Sequence, residues 1–249
     1  MSWTPMHAFA AANKRIFAQA AESGKVEMST EPPVEATVTM PEAAEAFAPQ
    51  PGIGVPLAVG TFGFSVLVLG LPTSRIISPD ALGIFVPVAF GTGALGLFIG
   101  GLWEYRANNI FGGSFALFYA CFLFTTALIL RFFAPGITEA AGEGGFGDAF
   151  GAWLILWAIF TSILSVGAWH INMPAFLAFA LLALAYVLLG IANLASPGGL
   201  SDAFTRVGGW VLLADGAAAW YLTSGLVLNP TVGRELVPLW PWPYTTRKA

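Results

Sequence analysis

The sequence predicts an all-α membrane protein of six transmembrane helices, and three observations carry that prediction. Hydrophobic residues make up 57% of the 249 positions and charged residues only 10%, against about 25% charged in soluble domains. Charge is also unevenly placed, since six of the fourteen acids (Glu22, Glu27, Glu31, Glu35, Glu42 and Glu45) fall within the first 50 residues. The remainder is too apolar to build a water-facing surface. Six apolar runs then recur along it, each long enough to cross a bilayer as a helix.

Residues 1–52 are expected to form a disordered or partly helical cytoplasmic tail. Within 6–20, Phe9, Ile16 and Phe17 can share one face of a short amphipathic helix. Lys14 and Arg15 interrupt that segment too early for the apolar core of a signal peptide. Residues 22–51 are rich in Glu, Pro, Thr and Ala, a composition that buries too little apolar surface to fold.

The six runs are approximately 55–72, 82–104, 111–133, 149–169, 174–195 and 207–228. At about 1.5 Å per residue they measure roughly 27–35 Å, the thickness of a hydrocarbon core. They are continuously apolar rather than alternating, so helices and not barrel strands are expected. Residues 134–148 read as a Gly-rich acidic loop. Pro197, Gly198 and Gly199 mark 196–206 as a second loop. Pro174 falls in the first turn of the fifth run, where its missing N–H costs little. The domain division expected is thus a tail to residue 52, a transport domain over 53–230, and a cytoplasmic tail over 231–249.

Basic residues set the orientation. With the N-terminus inside, the inner segments hold Lys14, Arg15, Lys25, Arg106, Arg234, Arg247 and Lys248, and the outer ones Arg75, Arg131 and Arg206. That excess places both termini in the cytoplasm. Trp240, Trp242 and Tyr244 follow the last run, where an interfacial aromatic belt belongs. Gly93, Gly96, Gly100 and Gly101, and then Gly216, Ala217, Ala218 and Ala219, let helices approach closely in lipid.

Several functions are excluded. The net charge of −4 comes with no basic cluster, so nucleic acid is not a partner. The lone Cys121 lies inside an apolar run and is expected to be a packed small residue. No metal-ligand spacing and no cofactor motif exist. The two histidines, His7 and His170, stand apart, and no nucleophile elbow, P-loop or acid pair suggests an enzyme.

Transport remains, and the polar residues inside the runs are its candidate lining: Thr61, Ser65, Thr92, Tyr119, Thr125, Thr126, Thr161, Ser162, Ser165, Asn193, Asp215, Tyr221, Thr223 and Ser224. Such hydroxyls can hydrogen-bond a small anion or its neutral acid without trapping it. A lone Ser or Thr in a membrane helix more often bonds its own backbone. Glu104 and Arg106 are expected to form an ion pair that anchors the loop after the second run, with a gate as the alternative. Asp215 lies about eight residues into the sixth run. An ionisable group there costs several kcal/mol unless it is paired, hydrated or protonated. It is either a residue on a watered path, serving proton coupling or ion selection, or a protonated or hydrogen-bonded packing residue.

The stretch GLWEYRANNIFGGSFALFY, residues 101–119, resembles the acetate uptake transporter family (AceTr), which includes bacterial succinate–acetate permeases and yeast ammonia/acetate-transporter homologues. The shared pattern is an acid followed by an aromatic and a base, then Asn109, Phe111-Gly112 and Tyr119. It continues through Gly208-Gly209-Trp210, Ala219-Trp220-Tyr221-Leu222, Leu228-Asn229, Gly233-Arg234 and Val237-Pro238. The resemblance covers roughly residues 53–238. One segment departs from it. The family's signature Asn-Pro-Ala-Pro-Leu-Gly-Leu is here Ile53-Gly54-Val55-Pro56-Leu57-Ala58-Val59, with only the Pro-Leu pair intact. In the family that segment lies at the pore mouth and bears on substrate handling. Asp215 stands where the family carries an uncharged residue, so the resemblance assigns it no role.

The resemblance implies a homohexamer of six-helix protomers with a path through each. It also implies a constriction, matched here by Phe62, Tyr119 and Leu182. These three lie seven to nine residues into runs that point the same way, which puts them at similar depth. Together with the polar candidates, the residues expected along the path are Pro56, Leu57, Thr61, Asn109, Thr125, Asn193, Asp215 and Ala219. The function this predicts is membrane transport of acetate and similar short carboxylates, succinate among them, by proton-coupled symport or channel-like conduction. The alternatives are a channel for ammonium or another small solute and, of another class, a non-transporting sensor or structural protein.

Overall fold

A computed structural model describes residues 53–241. The expected N-terminal tail with its amphipathic helix, and Trp242, Tyr244, Arg247 and Lys248, lie outside the described residues. The helices are α1 Val55–Thr73, α2 Leu95–Arg106, α3 Ile110–Leu128, α4 Ala134–Trp169, α5 Met173–Leu194 and α6 Gly199–Val232. A 3-10 turn Pro79–Ile84, a short α turn Phe85–Pro87 and a π turn Val88–Ala94 lead into α2. Pro87 has no N–H to give an α-helical ladder, so a local change of winding there has a plain cause. A second π turn, Ile129–Phe133, joins α3 to α4. Among the described residues the only β pairing is an isolated bridge between Asn172 and Pro241.

Five continuous helical stretches are long and apolar enough to cross a membrane, and one of them runs from Ile110 to Trp169. That stretch holds two crossings. Phe111 lies against Gly167, Phe118 against Phe160 and Phe122 against Trp153, so α3 and α4 run antiparallel and the chain reverses between them. Gly142 interrupts the helix there with φ 76° and ψ 171°, a left-handed φ that glycine adopts without a Cβ clash.

The two predicted loops are therefore largely helical. In 134–148, Pro135 sits in the first helical turn, where its ring is harmless, and Thr138 to Ala141 have the Ala and Glu content that favours helix. Only Gly142 leaves the helix. In 196–206 the break is confined to the residues before Gly199, and Asp202 follows in the first turn, where the helix dipole favours an acid. α6 runs to Val232, past the expected domain boundary at 230, and ends on Gly233 with φ 72°.

Each helix packs antiparallel on its sequence neighbour, and α6 closes back on α1. Gly60 faces Thr223, Gly63 faces Ala219 and Trp220, and Gly70 faces Leu213. The small residues serve this packing, as expected. A Cβ on Gly54 would overlap the Gly100 carbonyl, so α1 and α2 meet backbone to backbone. Because α1, α3 and α5 share one direction, residues at equal depth on them can meet on a common axis. The outer faces remain apolar, with Leu156, Ile159, Ile163 and Val166 all well exposed along α4, as a lipid-facing surface requires.

Candidate functional site

Phe62, Tyr119 and Leu182 do converge. The rings of Phe62 and Tyr119 lie 5.6 Å apart between centroids. Both residues line one small cavity with Leu182 and Ala219, and Phe115 and Phe179 form its wall toward the N-terminal end of α3. The cavity holds about 30 Å³, room for a water-sized group and less than acetate needs. All of its lining is apolar. Tyr119 contributes its ring and not its hydroxyl, because Tyr119 Oη hydrogen-bonds Thr161 Oγ1 at 2.7 Å on α4. That bond satisfies two groups that are each almost wholly buried. Trp157 and Phe179 flank the same ring at 5.8 and 6.0 Å.

The structure distributes the other candidates differently. Thr125 is six residues from Tyr119, about 240° around the helix. It lines an outward groove of about 460 Å³ with Phe90, Phe98 and Phe124, and is not on the cavity. Cys121 is exposed in that groove rather than packed as expected. Thr61 donates to the Leu57 carbonyl at 2.8 Å and faces Gly96, and Leu57 itself is exposed. Pro56 occupies the first turn of α1. Asn193 donates to the Leu189 carbonyl at 2.8 Å on its own helix. It lies on a vestibule of about 420 Å³ with Arg75, Thr126, Leu189 and Asp202. Arg75 and Asp202 pair across that vestibule at 3.0 Å.

The expected ion pair between Glu104 and Arg106 does not form. Glu104 is fully buried, and its Oε1 accepts from the Gly54 and Val55 amides at 2.6 and 2.8 Å. Its Oε2 accepts from Asn109 Nδ2 at 2.5 Å. Asn109 in turn caps α3, its Oδ1 accepting from the Gly112 amide at 3.0 Å. The carboxylate thus joins the ends of α1, α2 and α3 in one knot. Free N–H groups at a helix start attract negative charge more strongly than a solvated guanidinium does at this position. Arg106 is exposed, with its guanidinium 5.7 Å from the Trp103 ring centroid. Asn108, in the left-handed region at φ 57°, closes α2 just before Asn109 opens α3. An Asn ahead of an apolar run is a readable N-cap signal, so this role of Asn109 was available from sequence.

A second knot was missed. Asn229 Oδ1 accepts from the Leu236 and Val237 amides at 2.8 and 2.9 Å, and its Nδ2 donates to the Val237 carbonyl at 2.8 Å. Tyr221 Oη donates to the Pro238 carbonyl at 2.8 Å and stacks on Trp240. Residues 233–241 are thereby folded back along α6.

Asp215 lies one turn from Ala219 on α6, displaced toward the vestibule. It is fully buried, and neither carboxyl oxygen has a hydrogen-bond partner among the described residues. Val66, Tyr186 and Leu212 are each nearly inaccessible, and Val66 packs beside Gly216, the residue after Asp215. Of the packing alternative, the hydrogen-bonded form is not seen for Asp215, and the protonated form stands. It is a buried polar group left open.

Helices long and apolar enough to cross a bilayer, packed around a small apolar cavity with a larger pocket to one side, fit a membrane transport protein. The chain belongs to the GPR1/FUN34/yaaH family, whose model matches residues 37–242. It is 30% identical over 184 residues to the succinate-acetate/proton symporter SatP of Escherichia coli (strain K12), covering 74% of this chain and 93% of that protein. It is 33% identical over 172 residues to ammonia transport outward protein 2 of Saccharomyces cerevisiae (strain ATCC 204508 / S288c), covering 67% of this chain and 58% of that protein. In fold it matches the solved structure of the bacterial acetate channel SatP with TM-score 0.65 and 28% identity, over 75% of this chain and 97% of that chain.

Proposed function

We propose that this chain transports acetate and similar short carboxylates, succinate among them, through a path in each protomer. The observation that carries this reading is the convergence of Phe62, Tyr119 and Leu182 on one apolar cavity, in a chain related to proteins named for acetate. The solute enters the vestibule beside Arg75 and Asn193, passes the level of Asp215, and crosses the constriction toward Val59 and Leu222. Because the cavity admits only a water-sized group, the constriction opens by side-chain movement at Phe62, Tyr119 or Leu182. An apolar ring of this width resists ions by dewetting until it widens.

The protomers assemble as a homohexamer in the plasma (cell inner) membrane with both termini in the cytoplasm. Support comes from the excess of basic residues on the inner segments and from the apolar groove at Phe90, Phe98 and Phe124, which suits a neighbouring subunit. Initial rates of labelled acetate uptake into proteoliposomes test the transport reading. Uptake above protein-free vesicles, competed by unlabelled acetate, is the expected result. A second reading, ammonium or ammonia conduction, draws on the yeast relative's name and on a cavity sized for a water-like molecule. Ammonium flux without acetate flux would replace the first reading with this one.

A further inference from the structure

The constriction offers an anion nothing. Its lining is apolar, and the nearest hydroxyl, on Tyr119, is already bonded to Thr161. A carboxylate entering it would lose hydration with no replacement, at a cost that a neutral acid avoids. One turn from Ala219 along α6 lies Asp215, the one buried carboxyl among the described residues whose two oxygens both lack a partner. Leu212, Asp215, Ala219 and Leu222 share a single face of α6, and two of these already line the cavity.

The groups facing Asp215 are few. Tyr186 on α5 and Tyr119 on α3 lie within its electrostatic reach. α1 contributes Val66 and Leu67 at this level and has no titratable residue anywhere in its length. On α6 the nearest charges are Arg206, which is exposed, and Asp202, which pairs with Arg75. Among the described residues no cation stands close enough to hold Asp215 as a salt bridge. A buried carboxyl with no fixed partner, one turn from the cavity on the helix face that lines it, is suited to partners that come and go.

We propose that Asp215 is a proton-transfer station, where a carboxylate arriving from the vestibule takes a proton before it crosses the constriction as the neutral acid. The inference rests on the carboxylate-transport reading above. The step balances simply. The Asp215 carboxyl O–H bond breaks and an O–H bond forms on the incoming acetate oxygen. Acetic acid then crosses, and Asp215 regains a proton from hydronium in the vestibule water. One proton moves with each acetate, and no net charge crosses. An acid O–H meeting a carboxylate makes a short, strong hydrogen bond along which the proton can move.

The test is uptake by the purified full-length chain in proteoliposomes, above the rate in protein-free vesicles, with an imposed pH gradient or an imposed membrane potential. For the unmodified chain, an inward proton gradient is expected to raise the initial rate, and the potential to leave it unchanged. Asp215→Asn is expected to lower proton-driven acetate uptake by about tenfold or more, a modest share of what a positioned proton donor provides. Asp215→Glu should restore most of it. An Asn variant with unchanged proton-driven uptake overturns the proposal while leaving acetate transport standing. A parent chain that carries no acetate overturns both. If the Asn variant fails to fold, labelling of the parent chain with a lipid-soluble carbodiimide decides, because that reagent modifies protonated carboxyls in apolar surroundings. Asp215 should be modified, and acetate should slow the reaction. Absence of modification, or no protection by acetate, counts against the proposal.

Discussion

Replacing Glu104 with Gln removes one charge and one acceptor from a knot that uses all of both. The carboxylate receives three hydrogen bonds, two from the amides opening α1 and one from Asn109. A glutamine has a single acceptor oxygen. If that oxygen faces Gly54 and Val55, its –NH2 faces the Asn109 –NH2, donor against donor. Turning the Asn109 amide relieves that clash but takes the acceptor away from the Gly112 amide. Every arrangement leaves one buried donor unpaired, which costs about 1–3 kcal/mol. Loss of the negative charge at the start of α1 adds about 0.3–1 kcal/mol.

A total of about 1.3–4 kcal/mol corresponds to a fall in Tm of roughly 3–16 °C for a chain of this size. Thermal scanning of the purified Glu104→Gln protein in detergent measures it, and acetate uptake per folded protein is the companion assay. Glu104 lies beside Gly54, eight residues from Phe62 along α1, or about 12 Å. Uptake per folded molecule is therefore expected to hold. A Tm within about 1 °C of the parent would refute the capping argument, since it would mean that no donor is stranded. An unchanged Tm with altered uptake would restore the gate reading of Glu104.

Three further outcomes follow from the same geometry. Leu182→Ala enlarges the constriction and costs about 2–4 kcal/mol, and initial rates should rise more for butyrate than for acetate; unchanged selectivity would remove Leu182 from the gate. Tyr119→Phe deletes the bond to Thr161 and costs about 1 kcal/mol, and a double-mutant cycle with Thr161→Val should give a coupling near that value. Acetate uptake should survive the Phe change, because the ring and not the hydroxyl faces the cavity. Asn229→Ala unties the Leu236 and Val237 amides, so their hydrogen exchange should quicken about tenfold or more while exchange in mid-α6 does not; equal rates at 236 and 237 would refute the latch.

The helices were legible because each apolar run matches the bilayer; the trio of Phe62, Tyr119 and Leu182 came from the family resemblance, and the equal depth of the three along parallel spans agreed with it. What escaped reading has physical causes. The partners of Glu104 are backbone amides 49 and 50 residues away in sequence, and backbone groups leave no residue-type signature. Its neighbour Arg106, two residues on, offered a charge match that the helix end outcompeted. Thr125 looked like Thr161 on a list of polar residues, yet one faces an outer groove and the other anchors the constriction tyrosine. Which way a helix faces depends on its partners, and an apolar run with small residues on several sides does not announce them. The helical character of 134–148 was hidden for a similar reason. Five glycines in fifteen residues suggest a loop, but only Gly142 takes a conformation that glycine alone favours.

The motif residues and the functional residues turn out to divide the work. Glu104, Asn109 and Asn229, which carry much of the resemblance, hold helix ends and the C-terminal fold-back. Asn109 fixes where α3 begins, and Tyr119 follows ten residues later, about 15 Å along the helix. The constriction itself is built from Phe, Leu and Ala with a tyrosine ring turned inward, residues that any packed core would contain. Such a ring discriminates by width and by the cost of shedding water, and both depend on where the helices are held more than on which side chains line it. If the ring is the gate proposed above, selectivity is set by the end knots through position and by the buried carboxyl beside it through chemistry. In this chain that carboxyl is Asp215, one turn from Ala219, with neither oxygen partnered among the described residues. Relatives with the same knots and an uncharged residue there should share the passage and differ in how a proton accompanies the solute.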